Sequence, residues 1–250
     1  MPEPSPHDPE IYALDTRPRT PKLPGHVNHQ ASCDAALDAL THDLASHATE
    51  CVRRFGDFHI ALPGGEEFDR LYLRLLIDPS MRIIAWERTH VWIHQEEREG
   101  IHEPTSALTQ VREHIVEHTD IPMSQVHAMH TNEPDAPALF TKEMRDVLGW
   151  RPKGHDRLDY ALVPTSRCVV SLESKQFAVD NEARTSLTDH VLSASRLVAV
   201  LATGVEHRQA LADVEQRFGS GRHRYPLMPH AGVLCWYLDH DACPELPDGA

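Results

Sequence analysis

Asp159-Tyr160-Ala161-Leu162-Val163-Pro164-Thr165-Ser166-Arg167-Cys168-Val169-Val170-Ser171-Leu172 is the stretch on which the reading of this chain turns. Asp159–Val163 is a short apolar run bounded by proline, the pattern of a buried strand. Only Pro164-Thr165-Ser166-Arg167 separates it from a second apolar run, Cys168–Leu172, which reads as another strand.

Working outward, strand and helix patterns alternate. Ser32 can cap a helix whose apolar stripe is Leu37, Leu40, Leu44, Ala48, Cys51 and Phe55, and Gly56 stops it. Phe58–Leu62 is a strand. Pro63-Gly64-Gly65 turns from it into a helix over Phe68–Leu76. Thr89–Ile93 is the next strand, Pro104 opens a helix to about His118, and Val126–Ala128 is a strand followed by a helix over Ala136–Leu148. Beyond the quoted stretch, Thr188 can cap a helix to about Ser195. Leu197–Leu201 is a strand, Glu206–Phe218 a helix, and Val233–Leu238 a last apolar run. Such alternation predicts a mostly parallel sheet covered by helices on both faces. Ligands then sit at the carboxyl ends of the strands, in the loops after Leu62, Ile93, Val163 and Leu201.

Composition bounds the rest. The 250 residues are 40% apolar and 25% charged, as in a soluble globular protein of one domain. Seven prolines between Pro2 and Pro24 predict a flexible tail over residues 1–27, ahead of a single domain over 28–250. No apolar run is long enough to span a bilayer, and the first residues lack a basic, apolar leader. Five scattered cysteines suggest reduced thiols, so a cytoplasmic protein is expected. A formal net charge of −14 repels polyanions, so nucleic acid is not an expected partner. The 19 histidines read as a habit of composition.

From Phe58 to about Ala242 the chain resembles the 6-phosphogluconolactonases, within the larger group that includes glucosamine-6-phosphate isomerases. The resemblance is carried by Leu62-Pro63-Gly64-Gly65-Glu66-Glu67 with Leu71-Tyr72, by Trp86-Glu87-Arg88-Thr89-His90-Val91-Trp92, and by Ile121-Pro122 through Val126-His127-Ala128-Met129. It continues through Leu158-Asp159-Tyr160-Ala161-Leu162, Arg184-Thr185-Ser186-Leu187-Thr188, Thr203-Gly204-Val205-Glu206-His207 and Gly232–Asp239. No single motif is specific; their order and spacing are. The resemblance implies a Rossmann-like α/β fold, a link to pentose phosphate metabolism, and a cleft at family-equivalent positions Gly64, Gly65, Glu66, Glu67, Gln95, Glu96, Glu97, Ser106, Arg184 and His207.

At those positions the scaffold is kept and the chemistry is altered. The family's Gly-Gly-Ser-Thr turn meets the substrate phosphate, and here the last two residues are Glu66 and Glu67. Each carboxylate near a phosphate dianion would cost on the order of 1–4 kcal/mol at about 4 Å. Equally, acids at a helix N-terminus can simply complement its dipole. The family's Asp-Glu-Arg corresponds to Gln95-Glu96-Glu97, its Ser-Asn to Ser106-Ala107, and its late lysine to His207; Arg184 is the basic position kept. Arg98 could replace the lost arginine only by a one-residue shift. A family loop carrying Asp-Gly-His, the expected base, would lie between Asp159 and Ser171, and no histidine lies between Asp159 and His190. Cys168 reads as a buried, inert thiol.

The expectation is therefore a member without catalytic residues, cofactor or metal, binding a sugar-phosphate-like molecule or a metabolic protein. The alternative is a sugar-lactone or sugar-phosphate hydrolase using Arg184, His207, Arg208, His94 or His102. His114-Ile115-Val116-Glu117-His118 spells a zinc-peptidase pattern, for which a third ligand is not evident; a solvated helix face is the plainer reading.

Overall fold

A computed structural model of the chain describes residues 19–98, 106–181 and 184–244. In chain order it contains β1 (His26–His29), α1 (Cys33–Phe55), β2 (Phe58–Leu62), α2 (Asp69–Ile77), β3 (Thr89–Ile93), β4 (Gln95–Glu97) and α3 (Ala107–His114). There follow β5 (Val126–His127), α4 (Ala136–Leu148), β6 (Tyr160–Val163), β7 (Ala178–Asn181), β8 (Arg184–Leu187), α5 (Asp189–Ala194), β9 (Leu197–Ala202), α6 (Arg208–Phe218) and β10 (Val233–Leu238).

Seven strands form one parallel sheet in the order β1-β10-β9-β6-β2-β3-β5. The strand period divides its side chains between two cores. Ile60, Leu62, Val91, Ile93, Leu162, Ala199 and Leu201 face one side, packed by Leu40 and Leu44 of α1, Leu71 and Tyr72 of α2 and Val111 of α3. Ala61, Trp92, Ala161, Val163, Val198 and Val200 face the other, packed by Phe140 and Met144 of α4, Leu192 of α5 and Leu211 of α6. The expected mostly parallel sheet with helices on both faces is what the chain adopts. Ser32 accepts the Ala35 N–H at the start of α1, and Gly56 ends that helix at φ +91°.

From β2 the chain builds outward through β3 and β5, then returns to place β6 on the other side of β2. Between β2 and β6 the direction of winding reverses, which opens a crevice at their carboxyl ends.

At the quoted stretch the structure departs from expectation. Cys168–Leu172 is not a strand: Thr165–Val169 is a 3-10 turn. Both neighbours of β6 are already taken, by β2 and β9, so the sheet has no free edge there. The segment is held instead by Asp189 at the start of α5, which pairs with the buried Arg167 guanidinium and accepts from Ser171 Oγ and Leu172 N. The next strands, β7 and β8, form an antiparallel hairpin that continues onto β4 as a separate three-stranded sheet.

Residues 19–27 also differ from the expectation of a loose tail. Arg19 forms a bidentate pair with Glu215 at 2.7 Å, Trp236 Nε1 donates to Pro24 O, and β1 adds to the edge of the sheet. Residues 1–18 lie outside the described residues, as does Pro104, the expected start of α3. Thr188 holds the N-cap position of α5 as expected, but its hydroxyl donates to Gln176 O instead of accepting from the first turn.

Beneath the amino ends of β2, β6 and β9 lies a buried charge network. The Arg151 side chain, 0% exposed, is bonded to Asp57 and to Asp159, also 0% exposed, while Arg196 Nε donates to Asp159 at 2.9 Å. Asp159 also accepts the His59 N–H at 2.8 Å, tying β2 to the residue that begins the β6 run.

Candidate functional site

The crevice at the carboxyl ends of β2 and β6 is a cavity of about 480 Å³. Gly64 and Gly65 wall it from the loop after β2, Gln95, Glu96 and Glu97 from β4, Ala107 and Gln110 from α3, Pro164 and Ser166 from the join, and Arg184 from β8. Glu66 and Glu67 complete the rim.

The glycine turn exists because α3 crosses it closely. A Cβ on Gly64 would come within 2.5 Å of Ala107 Cα, and Gly65 sits at φ +125°, where side chains are strained. The Gly65 N–H is aimed at Gln110, whose Oε1 accepts it at 2.6 Å. Glu66 and Glu67 open the 3-10 turn Glu66–Phe68 and stay exposed. Protein packed about the Glu67 carboxyl raises its pKa; His207 nearby lowers it and Glu206 raises it further.

Glu96 behaves differently from the other acids. It is 1% exposed, and its carboxylate accepts from Ser106 Oγ (3.0 Å), Ala107 N (3.1 Å) and Leu108 N (2.8 Å). It therefore fills the N-terminus of α3, the place in a helix start where an anion would otherwise bind. Ser106 bonds to Glu96 and accepts the Thr109 N–H, so it is the cap of α3 and does not line the cavity. Glu97 pairs with Arg184 at 3.2 Å, both about half exposed. Arg98, the alternative basic group, lies 3.5 Å from Asp180 and off the cavity wall.

A second cavity, about 370 Å³, shares Glu66 and Glu67 and extends to Arg70, Gly204, Glu206, His207, Asp239 and Asp241. His207 belongs here. It is 8% exposed, and its Nδ1 lies 2.8 Å from Thr165 Oγ1, which joins the loops after β6 and β9. Arg208 donates to Asp241 O. His94 lines neither cavity; burial, with Arg167 nearby, lowers its pKa to about 3. His102 lies outside the described residues. Cys168 is buried and its thiol is pushed up to about 12, consistent with an inert residue.

Thus the sequence-derived positions Gly64, Gly65, Glu66, Glu67, Gln95, Glu96, Glu97 and Arg184 come together around one cavity, and Ser106 and His207 do not. Gln110 and Thr165 were not singled out from sequence. Gln110 stands one turn into α3 beyond the Ser106 cap, which was the available signal; Thr165 meets His207 only through the pairing of β6 with β9.

The zinc-peptidase pattern does not form a ligand pair on one helix. α3 ends at His114, Ile115 leaves the helical region at φ −126°, and His118 falls in a separate turn. His114 Nδ1 lies 3.1 Å from Asp69. Among the described residues one other cluster, Asp57, His59 and His90, brings metal-ligand atoms together. There Trp92 Nε1 donates to His59 Nδ1 at 3.1 Å, so the neutral ring carries its proton on Nε2 and donates to Asp57 at 3.0 Å. That tautomer leaves His59 no lone pair for a cation, and Arg151 already occupies Asp57.

The chain matches the family model described as Glucosamine-6-phosphate isomerases/6-phosphogluconolactonase over residues 31–163. It is 26% identical over 233 residues, 82% of its length, to the GDH/6PGL endoplasmic bifunctional protein of Homo sapiens, and spans about 28% of that relative. It is 26% identical over 245 residues to the 6-phosphogluconolactonase of Mycobacterium tuberculosis, covering 86% of this chain and 95% of the relative. The structure of 6-phosphogluconolactonase from Thermotoga maritima superposes with a TM-score of 0.70 at 16% identity, covering 86% and 99% of the two chains. A monomeric glucosamine-6-phosphate deaminase gives a TM-score of 0.70 at 13% identity over 87% of this chain and 98% of its own. At these identities the two structures establish a shared fold. Among the described residues no helix is long and apolar enough to cross a membrane.

Proposed function

The chain belongs to the glucosamine-6-phosphate isomerase/6-phosphogluconolactonase family, and from that premise we propose that it is a ligand-binding member without lactonase activity, connected with pentose phosphate metabolism. The cleft between β2 and β6 is its ligand site, residues 28–250 act as a single domain, and the cytoplasm is its compartment.

One observation carries this reading. A phosphorylated lactone needs a phosphate anchor, a base and an oxyanion donor. In the first cavity the Gly65 N–H is taken by Gln110 and the α3 N-terminus by Glu96, while Arg184 is matched by Glu97. No histidine lines that cavity among the described residues. Loss of a general base alone costs about 10²–10⁴ in rate.

The test is hydrolysis of 6-phosphogluconolactone by the repurified protein beside the Mycobacterium tuberculosis enzyme. The expected rate stays close to spontaneous hydrolysis. Turnover that survives repurification and falls in Arg184→Gln or His207→Gln would overturn the proposal. It would favour the second reading, a hydrolase with a rearranged site, for which the Thr165–His207 contact at 2.8 Å is the supporting feature.

A further inference from the structure

Arg184 is the only basic side chain among the described residues that line the first cavity. It starts β8, and the antiparallel register sets it directly opposite Glu97 of β4. Residues opposite one another in an antiparallel pair share a face with Cβ atoms about 4.5–5.5 Å apart. The Glu97–Arg184 contact is thus fixed by strand register and not by burial: the two side chains remain 47% and 50% exposed. Wherever the β4–β8 ladder forms, Arg184 carries a carboxylate beside it.

An anionic group binding Arg184 would share its guanidinium with Glu97 and lie against that carboxylate. Glu66 and Glu67 also line the cavity. Three of the backbone donors nearby are bonded internally, Gly65 N to Gln110 and Ala107 N and Leu108 N to Glu96. The Glu66 and Glu67 carboxylates, the Gln95 and Gln110 amides and the Ser166 hydroxyl line the cavity, a set that suits hydroxyl groups as donors and acceptors.

We propose that Glu97 is the specificity-determining residue of this cleft: paired with Arg184, it excludes phosphorylated ligands and leaves a site for an uncharged, polyhydroxylated sugar-type molecule. This rests on the assignment of the cleft as the ligand site. Glu97→Gln keeps the shape of the side chain, removes its charge and frees Arg184. Arg184→Gln, added to it, removes the cation that a phosphate would use.

The experiment is calorimetric titration of the full chain with glucose and with glucose 6-phosphate, at low salt, on the wild type, Glu97→Gln and Glu97→Gln/Arg184→Gln. Circular dichroism checks that each variant is folded. The wild type is expected to prefer glucose. Glu97→Gln should gain about tenfold or more in affinity for glucose 6-phosphate, and the double variant should lose that gain. A preference unchanged by Glu97→Gln, or a gain that persists without Arg184, overturns the role of Glu97. Absence of heat from glucose in the wild type overturns the uncharged-ligand assignment. Tight binding of glucose 6-phosphate by the wild type overturns the phosphate-poor reading of the cleft itself, an outcome separate from any failure of Glu97 alone.

Discussion

Replacing Arg151 by methionine should destabilise the protein severely, although Arg151 is remote from either cavity. Its side chain is 0% exposed and bridges Asp57 and Asp159, whose side chains are 11% and 0% exposed. Two hydrogen bonds run to Asp159, at 3.0 and 2.8 Å, and Nε adds one to Asp57 at 3.1 Å. Methionine fills much of the same volume, so the loss is one of charge. Arg196 still neutralises Asp159, but Asp57 keeps only His59, which is neutral near pH 7 because burial lowers its pKa. Removing one partner of a buried pair typically costs about 3–5 kcal/mol. At roughly 2–4 °C per kcal/mol for a chain of this size, the midpoint should fall by about 6–20 °C. Asp57→Asn in the Arg151→Met background should restore part of the loss, since it removes the stranded charge. The pH dependence has a definite sign. Burial pushes the Asp57 carboxyl up, but hydrogen bonds from His59 and Arg151 outweigh it and hold the carboxyl below its ordinary value. The stability this contributes is present above the unfolded carboxylate pKa and is lost as pH falls through the folded one. Arg151→Met should flatten that part of the profile. Urea denaturation at pH 7.5 followed by circular dichroism measures the effect. A change under about 1 kcal/mol would show that the network is not a structural determinant, and the argument from buried charge would fail.

Acid should loosen the edge of the sheet through His90, which stacks on His59 and hydrogen-bonds His127 at 3.0 Å. Burial and the two neighbouring imidazoles lower its pKa to about 4, against an ordinary 6.5, so its contribution is whole above pH 6.5 and is lost as pH falls toward 4. The amount is at most about 3 kcal/mol, less what solvent screens; His90→Asn should shrink the slope of stability against pH across that window, and an unchanged slope would refute the assignment. Gly64→Ala should cost about 1–3 kcal/mol by overpacking, because its Cβ would meet Ala107 Cα at 2.5 Å; thermal melting within experimental error of wild type would show that α3 moves aside freely.

Local pattern was enough for much of this protein. The apolar periodicity of Leu37–Phe55 between Ser32 and Gly56 determined α1, and short apolar runs determined β2, β3, β6, β9 and β10, because these signals depend on neighbours three or four residues away or fewer. The glycine turn after β2 and the acids at 66, 67, 96 and 97 were likewise readable as residues. Their roles were not. Glu96 and Glu97 are adjacent acids in sequence, yet strand alternation sends one onto the N-terminus of α3 and the other to Arg184, 87 residues away. The apolar run Cys168–Leu172 has a strand's composition, but whether it pairs depends on a free sheet edge, and β2 and β9 had already filled both sides of β6. Residues 19–27 look like tail by proline content and are held by Glu215 and Trp236, nearly two hundred residues or more downstream. The sequence by itself determined α1, the central strands of the sheet and which side chains the loops carry. Tertiary structure decided which of those side chains remain free to meet a ligand, since that depends on partners brought together only when the sheet closes.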